Sequence, residues 1–314
     1  MNTTNKQVAL VSVRSHITPP ATEVTIRGDV DRVSINRPDS LATPVTRTKW
    51  HARLRLLNTL MFLVHAAAAG VVLGLSDSGV TEQLHRPTII TTVESSSEGD
   101  DVSWSIQPGL PEAFLQLDFA LYTCAFFAIT AVFHARAAFS HEVYVAELLH
   151  CRNFHRWFEY AISASIMATT IGYFCGIYDA FFLMALAALT ATTMGYGLVA
   201  ELHARPVDAY TWNVDIKTRL IPHILGYIPQ AAAWLLIFWQ FILNTRNTSM
   251  PTFVYWIVFG QLLVFWSFGL IQLVVLCRTP DAYVYGEFSY VVLSAVGKLL
   301  LGAQVFFNVL MTRA

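Results

Sequence analysis

The chain has 314 residues, 55% of them hydrophobic and 13% charged, with a formal net charge of −1. A water-soluble domain of this size carries about 25% charged residues, so the composition indicates a membrane protein and gives no basic excess for nucleic acid. The four cysteines, Cys124, Cys151, Cys175 and Cys277, have neither metal-ligand nor disulfide-framework spacing.

Residues 1–50 are rich in Ser, Thr, Pro and Arg without a sustained apolar period, and are read as a disordered tail. No apolar run of the signal-peptide kind opens the sequence. In the remainder, residues 51–314, seven apolar stretches follow, at 54–75, 113–137, 152–177, 180–199, 220–243, 253–276 and 285–311. Each is close to the roughly 20 residues that a ~30 Å hydrocarbon core requires. The third is expected to begin upstream of its apolar part, because His150, Arg152, His155 and Arg156 can continue a helix beyond the bilayer. Connectors are short except the first, 76–111. There the β-rich run 88–93, the polar cluster 95–101 and the alternating run 102–107 predict a β-hairpin. The expected fold is therefore all-α: a seven-transmembrane-helix bundle with a hairpin in the first extracellular loop.

Orientation follows from charge. Sixteen of the 20 Lys and Arg fall on the tail's side of the spans and three, Arg86, Arg246 and Arg313, on the other. The positive-inside rule then predicts a cytoplasmic N-terminus and an extracellular C-terminus in a multi-pass protein.

The remaining basic residue, Lys298, sits in the middle of the last span, eight residues past Tyr290 and thirteen before Met311. A charge there costs several kcal/mol or more, so it needs a partner or a polar cavity. A structural Lys–acid pair is one reading. The other is a nucleophilic amine, and a Schiff base to retinal is the expected use of a buried lysine in the seventh of seven helices. A protonated Schiff base needs an anion. Glu159 in the third span is the chosen counterion; the alternative is that it is a rim carboxylate paired with Arg156. Glu287 lies about 16 Å along the axis from Lys298, too far to touch it, and is placed near the cytoplasmic rim; Asp118 is placed in the outer half of the second helix.

Ser294 precedes Lys298 by four residues and shares its helix face, as Ser163 does with Glu159. Either can line the pocket or bond back to its own helix. His65 and His134 are the histidines inside otherwise apolar spans, read as bonded polar plugs or as members of a hydrated cavity that takes up a proton. Trp234, Trp239, Phe265, Trp266 and Phe268 can wall a polyene or simply pack between helices. Gly70/Gly74 and Gly172/Gly176 are small-xxx-small pairs that suit a dimer or internal packing equally. No phosphate loop, nucleophile elbow or metal-ligand spacing supports an enzyme.

Two runs carry a resemblance. Arg156-Trp157-Phe-Glu159-Tyr160-Ala-Ile-Ser163 in the third span and Tyr290-Val-Val-Leu293-Ser294-Ala-Val-Gly-Lys298 in the seventh are similar to the signatures of the heliorhodopsins. The similarity covers about residues 50–314. It implies all-trans retinal on Lys298, Glu159 as counterion, Ser294 as its neighbour, and His65 and His134 as cavity histidines. It also implies Gln272 at the polyene end, a homodimer, and light sensing through an unidentified cytoplasmic partner. A light-gated proton channel is the alternative. The long tail and Gly297 beside the lysine depart from the family pattern.

Overall fold

The computed structural model describes residues 44–76, 80–95 and 102–311. Most of the expected tail lies outside the described residues. Among them are eight α-helices: α1 (Pro44–Leu75), α2 (Phe119–Phe139), α3 (His141–Leu149), α4 (Phe154–Phe174), α5 (Ala180–His203), α6 (Ile216–Asn247), α7 (Thr252–Cys277) and α8 (Tyr283–Val305). Four strands, β1 (Thr81–Arg86), β2 (Ile89–Ser95), β3 (Val102–Pro108) and β4 (Glu112–Asp118), lie between α1 and α2.

Six of the helices are long and apolar enough to cross a membrane. The seventh, α4, has 21 residues, which at 1.5 Å per residue gives about 30 Å. It is less apolar because it carries Arg156, Glu159, Ser163, Ser165, Thr169 and Thr170, and all of these are buried. A spanning helix keeps such groups only when they face the bundle interior. The least hydrophobic span is thus the one that brings chemistry to the centre, and the seven-helix bundle is the observed fold.

The hairpin is present: β2 pairs antiparallel with β3, from Ile89 opposite Pro108 to Ser95 opposite Val102. A second antiparallel pair, β1 with β4, lies beside it, from Thr81 opposite Asp118 to Arg86 opposite Glu112. This corrects the start of the second span. Residues 113–118 are strand, and α2 begins at Phe119. Asp118 is not inside the helix but caps it, its Oδ1 accepting from the Leu121 N–H at 2.9 Å. A short apolar run is ambiguous between helix and strand, and pairing with β1 decides it.

The third span is corrected at the same end. α3 fills the preceding connector, and Cys151 adopts a left-handed φ of 52° that stops any helix extending back from α4. Asn153 then caps α4, its Oδ1 accepting from the Arg156 N–H at 3.0 Å.

The two glycine pairs separate. A Cβ on Gly172 would lie 2.8 Å from Leu186, and Gly176, at φ +95°, packs against Asn244. Gly70 and Gly74 are exposed, with nothing within 4 Å of a Cβ at either.

Candidate functional site

Lys298 lies in the second half of α8 and is 3% exposed. Its Nζ lies 3.1 Å from Oε1 of Glu159 on α4 and donates to Oγ of Ser294, one turn back on its own helix, at 2.7 Å. Thr130 on α2 donates to the same Glu159 oxygen at 2.5 Å. Ser163 is wholly buried one turn along α4 from that carboxylate. The Tyr160 ring lies below the amine, its centroid 5.2 Å from Nζ. One cation and one anion, each hydrogen-bonded, make a neutral unit; either charge alone at this depth would cost several kcal/mol.

Two environments meet at this pair. On the polar side a cavity runs from Glu159, Thr130 and Tyr160 past Asn58 and His134 to Arg136, Ser140 and His155, at the end of the bundle where α1 begins. His134 Nδ1 is 2.8 Å from Asn58 Oδ1, and its ring stacks on His65 at 5.4 Å between centroids. His65 is fully buried, with Nδ1 2.7 Å from the Met61 carbonyl.

On the apolar side a cavity starts at Lys298, Ser294 and Gly297 and is walled by Ala164, Met167, Met194, Val264, Phe265 and Phe268. A further space shares Met194, Phe265 and Phe268 with it and reaches Trp157, His223, Trp266 and Gln272. Gly297 is required by this packing. A Cβ there would stand 2.6 Å from Val264 Cγ1, so only glycine lets α8 approach α7 beside the lysine. Gln261 on α7 fixes the approach by donating to the Gly297 carbonyl at 2.9 Å.

The expected site residues therefore divide. Lys298, Glu159, Ser294 and Ser163 come together, with His134 on the polar cavity and His65 stacked against it. Phe265 lines both apolar spaces. Trp234 packs on Phe265 at 5.6 Å and lines neither. Gln272 lies in the further space, donating to the Gly197 carbonyl at 2.8 Å and standing 3.0 Å from His223 Nδ1. Trp239 is 69% exposed and points away.

Three features have no sequence signal of their own. Thr130 and Asn58 look like ordinary helix residues until the fold sets them against Glu159 and His134. The third is the partner of Arg156, which is not Glu159. Its guanidinium binds both Glu201 on α5 and Glu287 on α8. Glu287 is also 2% exposed, so it belongs to a buried cluster and not to a rim.

An amine held beside a carboxylate at the head of an apolar, aromatic-walled cavity fits a long conjugated aldehyde: the carboxylate stabilises a cationic linkage and the walls take the hydrocarbon.

The family described as Heliorhodopsin matches residues 54–310. Among solved structures, the chain is similar to the crystal structure of a light-driven proton pump from Leptosphaeria maculans, with a TM-score of 0.42 and 10% identity, covering 85% of this chain and 95% of that one. No curated protein matches the chain.

Proposed function

The chain belongs to the heliorhodopsin family, an integral membrane protein group with a retinal chromophore, and on that premise we propose that it is a light sensor holding all-trans retinal as a protonated Schiff base on Lys298. One observation carries the assignment: the Lys298 amine is buried at the head of an apolar cavity and paired with Glu159 at 3.1 Å. Bound there, retinal supplies visible absorption and a change of shape under light.

The protein's own groups do the rest. Glu159 is the counterion, and Thr130 holds its carboxylate in place. Ser294 accepts from Nζ and keeps that hydrogen-bonding direction filled. Phe265, Phe268 and Met194 exclude water from the apolar side, while the cavity past His134 offers the Nζ proton a polar path. Movement of that proton changes the charge on α4 and α8, and so the face where they meet α3. That face is read as cytoplasmic from the Lys/Arg asymmetry, with the C-terminus extracellular, and an unidentified signalling partner would meet it there. Reporter fusions at the two termini check this; a reporter active outside the cell at the N-terminus would reverse it.

A light-gated proton channel is the competing reading, since a polar cavity already serves one half of the bundle. The other half favours sensing. Between Lys298 and the strands the interior combines the buried Val254, Ile257, Val258, Leu301 and Val305 with the neutral side chains of Thr123, Thr169, Thr170 and Gln261, and Asp118 is spent on a helix cap. Membranes given all-trans retinal are expected to develop a visible band far to the red of free retinal, to yield all-trans retinal on dark extraction, and to pass no photocurrent under voltage clamp. A steady photocurrent would move the assignment to transport, and no band would remove the retinal reading.

We also propose a homodimer. Gly70 and Gly74 leave an outward-facing stripe on α1 that lets a second helix approach closely. Gly70→Leu is expected to shift the detergent-solubilised protein toward monomer by light scattering while leaving the visible band unchanged; an unaltered mass would place the interface elsewhere.

A further inference from the structure

Arg156 is the one cation in its cluster, and it faces two carboxylates. Its guanidinium contacts Glu201 and Glu287, and the three side chains are between 2% and 6% exposed. Every carboxylate oxygen already receives a donor. On Glu287, Oε1 accepts from Tyr144 OH and from Asn153 Nδ2, both at 2.8 Å, and Oε2 accepts from Arg156. On Glu201, Oε1 accepts from Arg156 and Oε2 from the Asn153 backbone N–H at 3.0 Å.

Further donors crowd the same place. Arg156 Nε and Tyr290 OH are buried there without a hydrogen-bond partner, and the Trp157 indole N–H is buried beside Glu201. Donors on every carboxylate oxygen suit two ionised carboxylates, and the unpartnered Tyr290 hydroxyl, which can accept as well as donate, leaves room for an O–H when a proton arrives. The cluster then holds a net charge of −1 in the protein interior. Around it, α3 contributes the Tyr144 hydroxyl, α8 those of Tyr283 and Tyr290, and the α3–α4 connector the Cys151 thiol, none of which offsets that charge. From α2 and the start of α4, Arg136, His134 and His155 line other parts of the polar cavity, with Arg136 exposed. Arg152 is taken by Glu147.

The same cavity is lined by Glu159 at one point and by Arg156 and Glu287 at another, so the negatively charged cluster opens onto the space beside the counterion. We propose that the Arg156–Glu201–Glu287 cluster is the store for the proton that leaves Lys298 Nζ under light. The Nζ–H bond breaks with its electron pair left on nitrogen, and the proton passes Glu159 and enters the cluster at Glu287. It comes to rest as an O–H on Glu201, which has fewer donors to lose. The light-driven step makes the cluster neutral and frees donors that had been held on Glu201, at the junction of α3, α4, α5 and α8. This inference rests on the retinal reading above.

Light-minus-dark infrared difference spectroscopy of the full-length pigment tests it. A carboxylic-acid C=O band is expected to rise as the visible band is lost, to vanish in Glu201→Gln, and to shift or weaken in Glu287→Gln. Glu201→Gln leaves Arg156 with one carboxylate, a neutral pair, so this variant is expected to fold and to keep the dark visible band. A C=O band that persists unchanged in both variants and disappears in Glu159→Gln would overturn the proposal, because the proton would then stop at the counterion; so would the absence of any such band. A second measurement needs no chromophore. Infrared pH-difference spectra of the retinal-free protein should show a carboxylic-acid band in mild acid that Glu201→Gln removes. If that band appears but no pigment forms, the retinal assignment has failed and the cluster's proton binding stands. If pigment forms and the carboxylic-acid band of the retinal-free protein is unaffected by Glu201→Gln, the store is elsewhere.

Discussion

Lys298→Ala is expected to abolish the visible band completely at any retinal concentration, leaving only the near-ultraviolet absorption of the free aldehyde. The reason is covalent: among the described residues, Lys298 is the only lysine that lines the apolar cavity. The substitution also removes the cation from Glu159, whose carboxylate would retain only the Thr130 hydroxyl and Ser163 nearby. Breaking a buried pair from one side typically costs about 3–5 kcal/mol. Loss of the band could therefore be confused with loss of the fold. Lys298→Arg separates the two, since it keeps a cation near Glu159 but cannot form a covalent link to an aldehyde. It is expected to melt closer to the parent than Lys298→Ala does, and to show no band. A short alkylamine added with retinal to Lys298→Ala supplies the missing nitrogen, and some visible absorption should return if the cavity is otherwise intact. A red-shifted band in Lys298→Ala without added amine would mean that the chromophore is bound by some other chemistry.

How much of this was legible beforehand depends on whether the deciding contact is local. Lys298, Ser294, Glu159 and Ser163 were readable because a charge in a spanning helix is costly, and because four-residue spacing alone puts each serine on the face of its neighbour. The β2–β3 hairpin was readable from alternation and a polar turn. The β1–β4 pair was not, because 113–118 is apolar enough to be absorbed into the span that follows, and only Thr81–Arg86 opposite it makes a strand. Glu201 was missed for a related reason. It lies just past the apolar stretch 180–199, where a carboxylate is ordinarily taken for a solvated helix end, whereas α5 runs on to His203 and buries it. Arg156 and Glu287, 131 residues apart, meet only in the fold. Gly297, a departure in the sequence, becomes intelligible once Val264 is seen where its side chain would be.

Arg156→Gln is expected to lower stability by about 3–5 kcal/mol, the usual result of removing one partner from a buried ionic group. The guanidinium is the link among α4, α5 and α8: it contacts Glu201 and Glu287, and its Cζ lies 4.1 Å from the Tyr290 ring centroid and 5.0 Å from that of Trp157. Glutamine leaves two carboxylates close together without a cation. Lysine is expected to recover only part of the loss, because a single ammonium cannot direct separate N–H groups at two carboxylates and stack on an aromatic face as well. Thermal unfolding followed by pigment bleaching and by tryptophan fluorescence measures both; a parental melting temperature for Arg156→Gln would show that the cluster contributes nothing to the fold. The informative companion is Arg156→Met combined with Glu201→Leu and Glu287→Leu. Apolar replacement of a whole buried ionic group is often neutral or stabilising, whereas truncating one member is not. The triple variant should therefore regain most of the stability lost in Arg156→Gln while failing to develop the light-induced carboxylic-acid band. That combination would show that two carboxylates around one arginine are not there for stability, since an apolar plug serves the fold as well, and that what the plug cannot do is take up a proton.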